Sequence, residues 1–426
     1  MTPLAIFSLW RNHIKISPYP DGKSFAFTII DDTDGSTMEM IRPIYDYLAS
    51  IGIKTTKTVW VNKPKEITSD SRDQGDTLER EDYIVYLKSL QEKGFEIALH
   101  NVSSRSNVRE DIISGIEKFK NIFGYYPKIN VHHEKNKENL HFDIAQSWDY
   151  VPSPFHSNFF KKTHTIYKKV KRFIFPKDNL KLPRKDEFFG EKSESDYFWG
   201  DICKSKIKYV RSNIFFPDLN TLKCNPTIPY SLSETPYINY WFDSSNGKDV
   251  KNFNTILNRE NIRRLQKERG CCILFTHFGK GFSVMTNGHF ELNVETKQKL
   301  EEIARNPEGW FVPVSIILDR LLAFKNLRCY QFLEGIILIN DNPYDITNLT
   351  LWVTPFKGYF DIYGQVFKAD KKGRIVIPLI GGQKSFILLK KNPLMDILFW
   401  YNQEIYQWLL DIKRASLIIM KKLYRH

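Results

Sequence analysis

Four apolar, β-branched runs, each ending abruptly in a carboxylate or an imidazole, constrain this chain more than any other feature. They are Ser24–Asp31 (SFAFTIID), Phe95–His100 (FEIALH), Lys128–His133 (KINVHH) and Cys271–His277 (CCILFTH). Segments with helical spacing of apolar residues alternate with them: 38–52, 81–93 and 108–123, each stopped by or at a glycine, then 255–269, 294–306 and 314–326. Ile53–Val61 reads as a further strand and Trp310–Pro313 as a short one. Strands separated by helices imply a parallel sheet. In parallel barrels and open α/β sheets, chemistry is placed at the C-terminal strand ends, where these polar residues fall.

The 426 residues exceed what a barrel of roughly 250 residues needs, so an appendage is expected. Residues 24–328 read as the barrel after an N-terminal segment 1–23, with an irregular stretch between about Trp148 and Thr235. After about Cys329 short strand-like runs follow one another without helices (GIILIND, LTLWVT, GRIVIPLI, KSFILL), which predicts a small antiparallel β domain over 329–392. Residues 393–426 read as a basic amphipathic helix. Such a helix packs on its own domain or a partner, or lies on a membrane surface.

The net charge of +13 favours anionic partners, and Lys161–Lys185 is densely basic. That stretch reads as a solvated loop or as an anion-binding rim. No RNA-binding or zinc-finger motif occurs, so nucleic acid is not expected as a partner. Five cysteines without C-x-x-C spacing indicate neither a disulfide framework nor a structural zinc site. The N-terminus does not read as a secretory signal, so a cytoplasmic setting is expected, peripheral at the inner membrane face if the C-terminal helix meets lipid.

Asp31, Asp32 and Asp34 follow one strongly apolar strand. Like charges buried together need a proton or cation between them, and a divalent metal is a common solution. Alternatively, Asp34 and Ser36 cap the next helix. His100, His132, His133 and His277 each end a strand, and their convergence on one barrel face would make a metal site.

The pieces TIIDDTD, GFEIALHNVSS and CCILFTH resemble, in order and spacing, the polysaccharide deacetylase family (carbohydrate esterase family four) over roughly residues 24–324. The resemblance implies an irregular (β/α) barrel of about seven parallel strands. It implies a divalent metal, often zinc, used to remove acetyl groups from N-acetylated sugars. It casts Asp31 as catalytic base, Asp32 and His100 as metal ligands and His277 as general acid. The family's second metal histidine falls at Ser104 here, a poor zinc ligand, so His132 or His133 is expected to replace it, with Asp34 a further candidate. Asp149 or Asp201 could supply a supporting carboxylate, Trp199 could wall the sugar pocket, and Asn101 is a substrate-binding candidate. The expected substrate is a carbohydrate, including a lipid- or nucleotide-linked precursor whose diphosphate would meet the basic segment. Two other functions fit the residues. One is a non-catalytic barrel that binds glycan or a partner, which Ser104 favours. The other is a glycoside hydrolase using a carboxylate pair such as Asp31 and Asp201.

Overall fold

The structure is a computed structural model that describes residues 14–390 apart from 67–68, 71–73, 135, 141–187, 333–334, 354–357 and 362–364. The basic stretch, Asp149 and the C-terminal helix expected from the sequence lie outside the described residues. The chain forms two compact units. One comprises Phe27–Asn306 and Phe311–Leu318; the other takes the described parts of Met1–Ala26, Pro307–Trp310 and Asp319–His426.

The first unit is a closed barrel of seven parallel strands: β1 (Phe25–Asp31), β2 (Thr56–Val59), β3 (Glu96–Leu99), β4 (Ile129–Asn130), β5 (Tyr209–Phe216), β6 (Tyr240–Asn246) and β7 (Cys271–Thr276). Neighbours pair in sequence order, and β7 returns to β1, where the Asp32 amide donates to the Thr276 carbonyl at 2.8 Å. Every residue of β1 and β7 is buried, as expected for strands covered on both faces.

Helices connect the strands: α1 (Met38–Ser50), α2 (Glu81–Glu92), α3 (Arg109–Phe123), α4 (Gly200–Lys206), α5 (Thr221–Cys224), α6 (Val250–Ile256), α7 (Arg259–Glu268), α8 (Val294–Ala304) and α9 (Val314–Lys325). The Thr37 hydroxyl accepts from the Met40 amide and starts α1. Met38, Ile41, Ile44, Tyr45 and Leu48 form its buried stripe. Each large side chain there contributes roughly 1.5–3 kcal/mol by leaving water. A charge at Ile44 would therefore undo the packing of this helix. The sequence predicts one helix over 255–269, but two are found. Asn258 breaks the run because its side chain caps α7 by accepting from the Asn261 amide at 2.9 Å. A two-stranded hairpin, Ser283–Thr286 with His289–Leu292, was not expected from the sequence. Asn287 and Gly288 turn it with φ of 49° and 84°, as an Asn-Gly hairpin turn requires.

The second unit is antiparallel. Lys15–Pro20 from the N-terminal segment pairs with Ile346–Trp352, which pairs with Arg374–Ile380. A five-stranded sheet holds Leu327–Phe332, Gly335–Asn340, Lys384–Lys390, Gly358–Asp361 and Val366–Lys368 in that spatial order. Alternate residues, among them Ile336, Leu338, Leu349, Leu351, Ile375 and Ile377, share one core.

Candidate metal centre

Asp34, His100 and His133 offer one carboxylate oxygen and two imidazole nitrogens that all lie within 4.8 Å of one another. All three are buried beyond the C-terminal ends of β1, β3 and β4. Asp34 Oδ1 is 2.9 Å from His100 Nε2, and Asp34 Oδ2 is 4.0 Å from His133 Nε2. His277, at the end of β7, brings its Nε2 to 3.2 Å from Asp34 Oδ2. Its Nδ1 donates to the Lys248 carbonyl at 2.6 Å, which fixes the ring with Nε2 toward the cluster. Trp60, just past β2, stacks along His100 and meets His133 edge-on, with centroids 6.0 and 5.5 Å away. Lys280 Nζ lies 3.8 Å from Asp34 Oδ2.

The three aspartates have separate surroundings. Asp31 Oδ1 accepts from the Phe278 amide at 2.7 Å. Its Oδ2 accepts from the Tyr45 hydroxyl at 3.0 Å and pairs with the buried Lys57 ammonium at 2.9 Å. Burial outweighs these contacts and pushes the Asp31 carboxyl above its ordinary value. Asp32 is gripped by both arms of Arg211, from within β5, at 2.8 and 2.6 Å. The Arg211 guanidinium also sits 4.6 Å from the Phe275 ring centroid. Burial pushes Asp32 up, but the Arg211 charge, with smaller help from His100 and His277, holds it below the usual carboxylate range. Burial likewise opposes ionisation of Asp34, yet hydrogen bonds from His100 and His277 hold it well below that range.

The structure thus brings Asp31, Asp32, Asp34, His100, His133 and His277 to one end of the barrel, and it redistributes the expected parts. Asp34 rather than Asp32 stands with the imidazoles, because the Arg211 fork occupies Asp32. Asp31 is enclosed by Lys57, Tyr45 and Phe278. Of the two neighbouring histidines, His133 joins the cluster. His132 contacts Asn130, with its Nδ1 3.4 Å from the amide nitrogen, and burial pushes it down to about 3 with the nearby His100 and Arg211 charges assisting. Ser104 is buried and supplies none of the three ligand atoms.

The substrate-binding candidates are engaged elsewhere. Trp199 is buried and its indole donates to the Glu138 carbonyl at 2.6 Å, so it packs the wall. Asp201 is exposed in a bidentate pair with Arg109 at 2.7 Å to each oxygen. Asp201 is thus spent on Arg109 at an exposed position, whereas Asp31 is fully buried. Asn101 is buried with its amide donating to Asn139 at 2.8 Å and Glu138 at 3.2 Å. Lys57, Arg211 and Glu138 were missed by the sequence reading. A lysine inside TTKTVWV and an arginine inside YVRSNIFF are signals, since a charge within an apolar strand needs a buried partner.

Two imidazoles and an ionised carboxylate are donor chemistry that divalent zinc and its neighbours accept, leaving positions open for water and substrate. Asp34 Oδ2 and His133 Nε2 face each other at a distance too long for a direct hydrogen bond, which also suits a shared cation.

No family model matches the chain, and no curated protein matches it. Solved structures do. A "putative polysaccharide deacetylase" from Mycobacterium smegmatis is 11% identical over 72% of this chain and 93% of its own, with a TM-score of 0.39. Puue Allantoinase is 9% identical over 71% and 92%, with a TM-score of 0.37. An α-amylase from Geobacillus thermoleovorans is 10% identical over 87% and 99%, with a TM-score of 0.31. At TM-scores of 0.31 to 0.39 these likenesses carry no functional weight, and function is read from the site's own residues.

Proposed function

We propose that the chain is a metal-dependent hydrolase that removes an acetyl group from an N-acetylated sugar. The supporting observation is the buried Asp34–His100–His133 triad at the strand ends, with His277 reaching the same carboxylate. The resemblance of TIIDDTD, GFEIALH and CCILFTH to polysaccharide deacetylases supplies the substrate class. Asp34, His100 and His133 would hold the ion, zinc in this reading. A divalent ion there would supply a Lewis acid for the acyl carbonyl and would acidify water.

The chain's own groups do the rest. Asp32 is ionised, lies near His100 and His277, and keeps a lone pair on each oxygen outside the Arg211 fork, so it takes the proton of the attacking water. Asp31 positions the loop that carries His277, since it holds the amide of the next residue, Phe278. His277, anchored through Nδ1, delivers a proton from Nε2 to the departing amine as the C–N bond breaks. Lys280 at the cluster edge and the basic charge of the chain suit an anionic substrate such as a lipid- or nucleotide-linked sugar. The proposed location is the cytoplasm, at the inner membrane face if the C-terminal segment meets lipid. No helix among the described residues is long and apolar enough to cross a membrane.

The test is acetate release by the full-length protein from N-acetylated sugars, nucleotide-linked ones included. Activity is expected to vanish with a chelator and return with zinc. Acetate release that a chelator leaves untouched would refute the proposed chemistry. A second reading, a barrel that binds without catalysis, is favoured by the direct contacts of Asp34 with His100 and His277, because a protonated imidazole can neutralise the carboxylate without metal. Wild-type protein that retains no metal after purification with added zinc would select it.

A further inference from the structure

A cluster of buried amides lies beside the metal centre, on the two loops that carry His100 and His133. Glu138, Asn101, Asn107, Asn136 and Asn139 are all buried. Asn136 is the informative member. Its amide nitrogen donates to the Ser103 carbonyl at 3.2 Å, the Arg105 carbonyl at 3.1 Å and Glu138 Oε1 at 3.0 Å. The two backbone carbonyls can only accept, so the amide cannot be flipped. Its oxygen therefore faces His133 Nδ1, 3.4 Å away. An amide oxygen only accepts, so a neutral His133 carries its proton on Nδ1 and turns the Nε2 lone pair toward Asp34. The same network ties down the backbone: the Asn139 side chain donates to the His133 carbonyl at 2.8 Å, and Asn101, directly after His100, donates to both Asn139 and Glu138.

We propose that Asn136 is a positioning residue that selects the metal-binding tautomer of His133, and that Glu138 holds Asn136 in the orientation this requires. Neither residue touches the ion. The inference rests on His133 being a metal ligand, as in the reading above. Partners of this kind that orient a ligating histidine typically alter metal affinity by roughly tenfold to a hundredfold when removed.

The test uses the full-length chain. In the metal-free wild type, nitrogen NMR is expected to show His133 as the Nδ1–H tautomer. Competition against a chromophoric chelator is expected to show zinc held roughly tenfold to a hundredfold more weakly by Asn136→Ala. Glu138→Ala, which removes the oxygen to which the Asn136 amide donates, is expected to weaken zinc in the same direction, and it serves if Asn136→Ala does not fold. Asn342→Ala removes a buried asparagine of the antiparallel unit, where its amide donates to the Ala323 carbonyl, and is expected to lower melting without changing zinc affinity. An Nε2–H tautomer in the wild type overturns the inference. So does zinc affinity unchanged in the folded Asn136 or Glu138 variant, or a loss matched by Asn342→Ala. A wild type that binds no zinc overturns this inference together with the proposed function, whereas a binding wild type with unaffected variants overturns this inference alone.

Discussion

Replacing Arg211 by methionine would leave the Asp32 carboxylate buried without its fork. Both partners are about 5% exposed and the two contacts are 2.8 and 2.6 Å, so solvent screens them little. Breaking a buried pair from one side costs about 3–5 kcal/mol, because the remaining charge stays desolvated. Loss of the cation–π contact with Phe275 adds on the order of 0.5–1 kcal/mol, partly offset by packing of the new methionine. Arg211→Met is therefore expected to lower unfolding free energy by about 4 kcal/mol at pH 7 in urea titrations. Removing the charge as well, in Asp32→Leu/Arg211→Met, is expected to restore most of that, since an apolar replacement of a buried pair is often near neutral. The sign with pH follows from the folded-state shift. Asp32 is held below its ordinary value, so its contribution is present above the unfolded pKa of about 3.9 and is lost as pH falls through the folded value. In the variant, burial is opposed only by the weaker His100 and His277 contributions and pushes the carboxyl up relative to the wild type. The deficit should thus be largest near neutrality and shrink in acid. A loss under about 1 kcal/mol, or a double variant no better than the single one, would refute the claim that this fork neutralises Asp32.

Three further outcomes are expected. Asp34→Asn should drop bound zinc from about one ion per chain to none by elemental analysis, while Asp32→Asn should keep it, because the first removes a ligand carboxylate and the second does not. His132 is pushed down to about 3, so the folded protein keeps it neutral and loses stability as pH falls below the unfolded value of about 6.5. His132→Gln should abolish about 2 kcal/mol of the wild type's decline between pH 6.5 and 5, measured by denaturation at each pH. Gly279→Ala would set a Cβ 2.7 Å from the Gly35 carbonyl oxygen, between the loops that carry Asp34 and His277; it should cost about 1–3 kcal/mol and reduce acetate release, seen by melting and assay.

The barrel was readable because its strands are apolar runs cut off by polar residues, and because helices with clear buried stripes lie between them. The antiparallel unit was readable from short strands without intervening helices. Its N-terminal strand, Lys15–Pro20, was missed, since its partner Ile346–Trp352 lies more than 300 residues away and no local signal marks it. That Asp34, His100, His133 and His277 gather at one end of the barrel was legible from their strand-end positions, but the partner of each was not. Side chains alternate across a strand, so Asp31 and Asp32 point to opposite faces. One meets Tyr45 of α1 and the other meets Arg211 of β5. Neighbouring positions in the sequence thus acquire unlike tasks from tertiary partners that no local spacing reveals. His132 and His133 part company in the same way.

The seam between β1 and β7 has a bearing on how the site comes into being. Asp34, His100 and His133 are all supplied by the first four strands, whereas His277 adjoins them because the final strand docks back against the first. In a flat sheet three strand spacings of about 4.8 Å would hold the ends of β1 and β4 roughly 14 Å apart, so the approach of Asp34 to His133 depends on the curl of the barrel. The same cylinder that sets His277 beside Asp34 therefore also gathers the triad, and a lesion at the β1–β7 seam would disturb both at once.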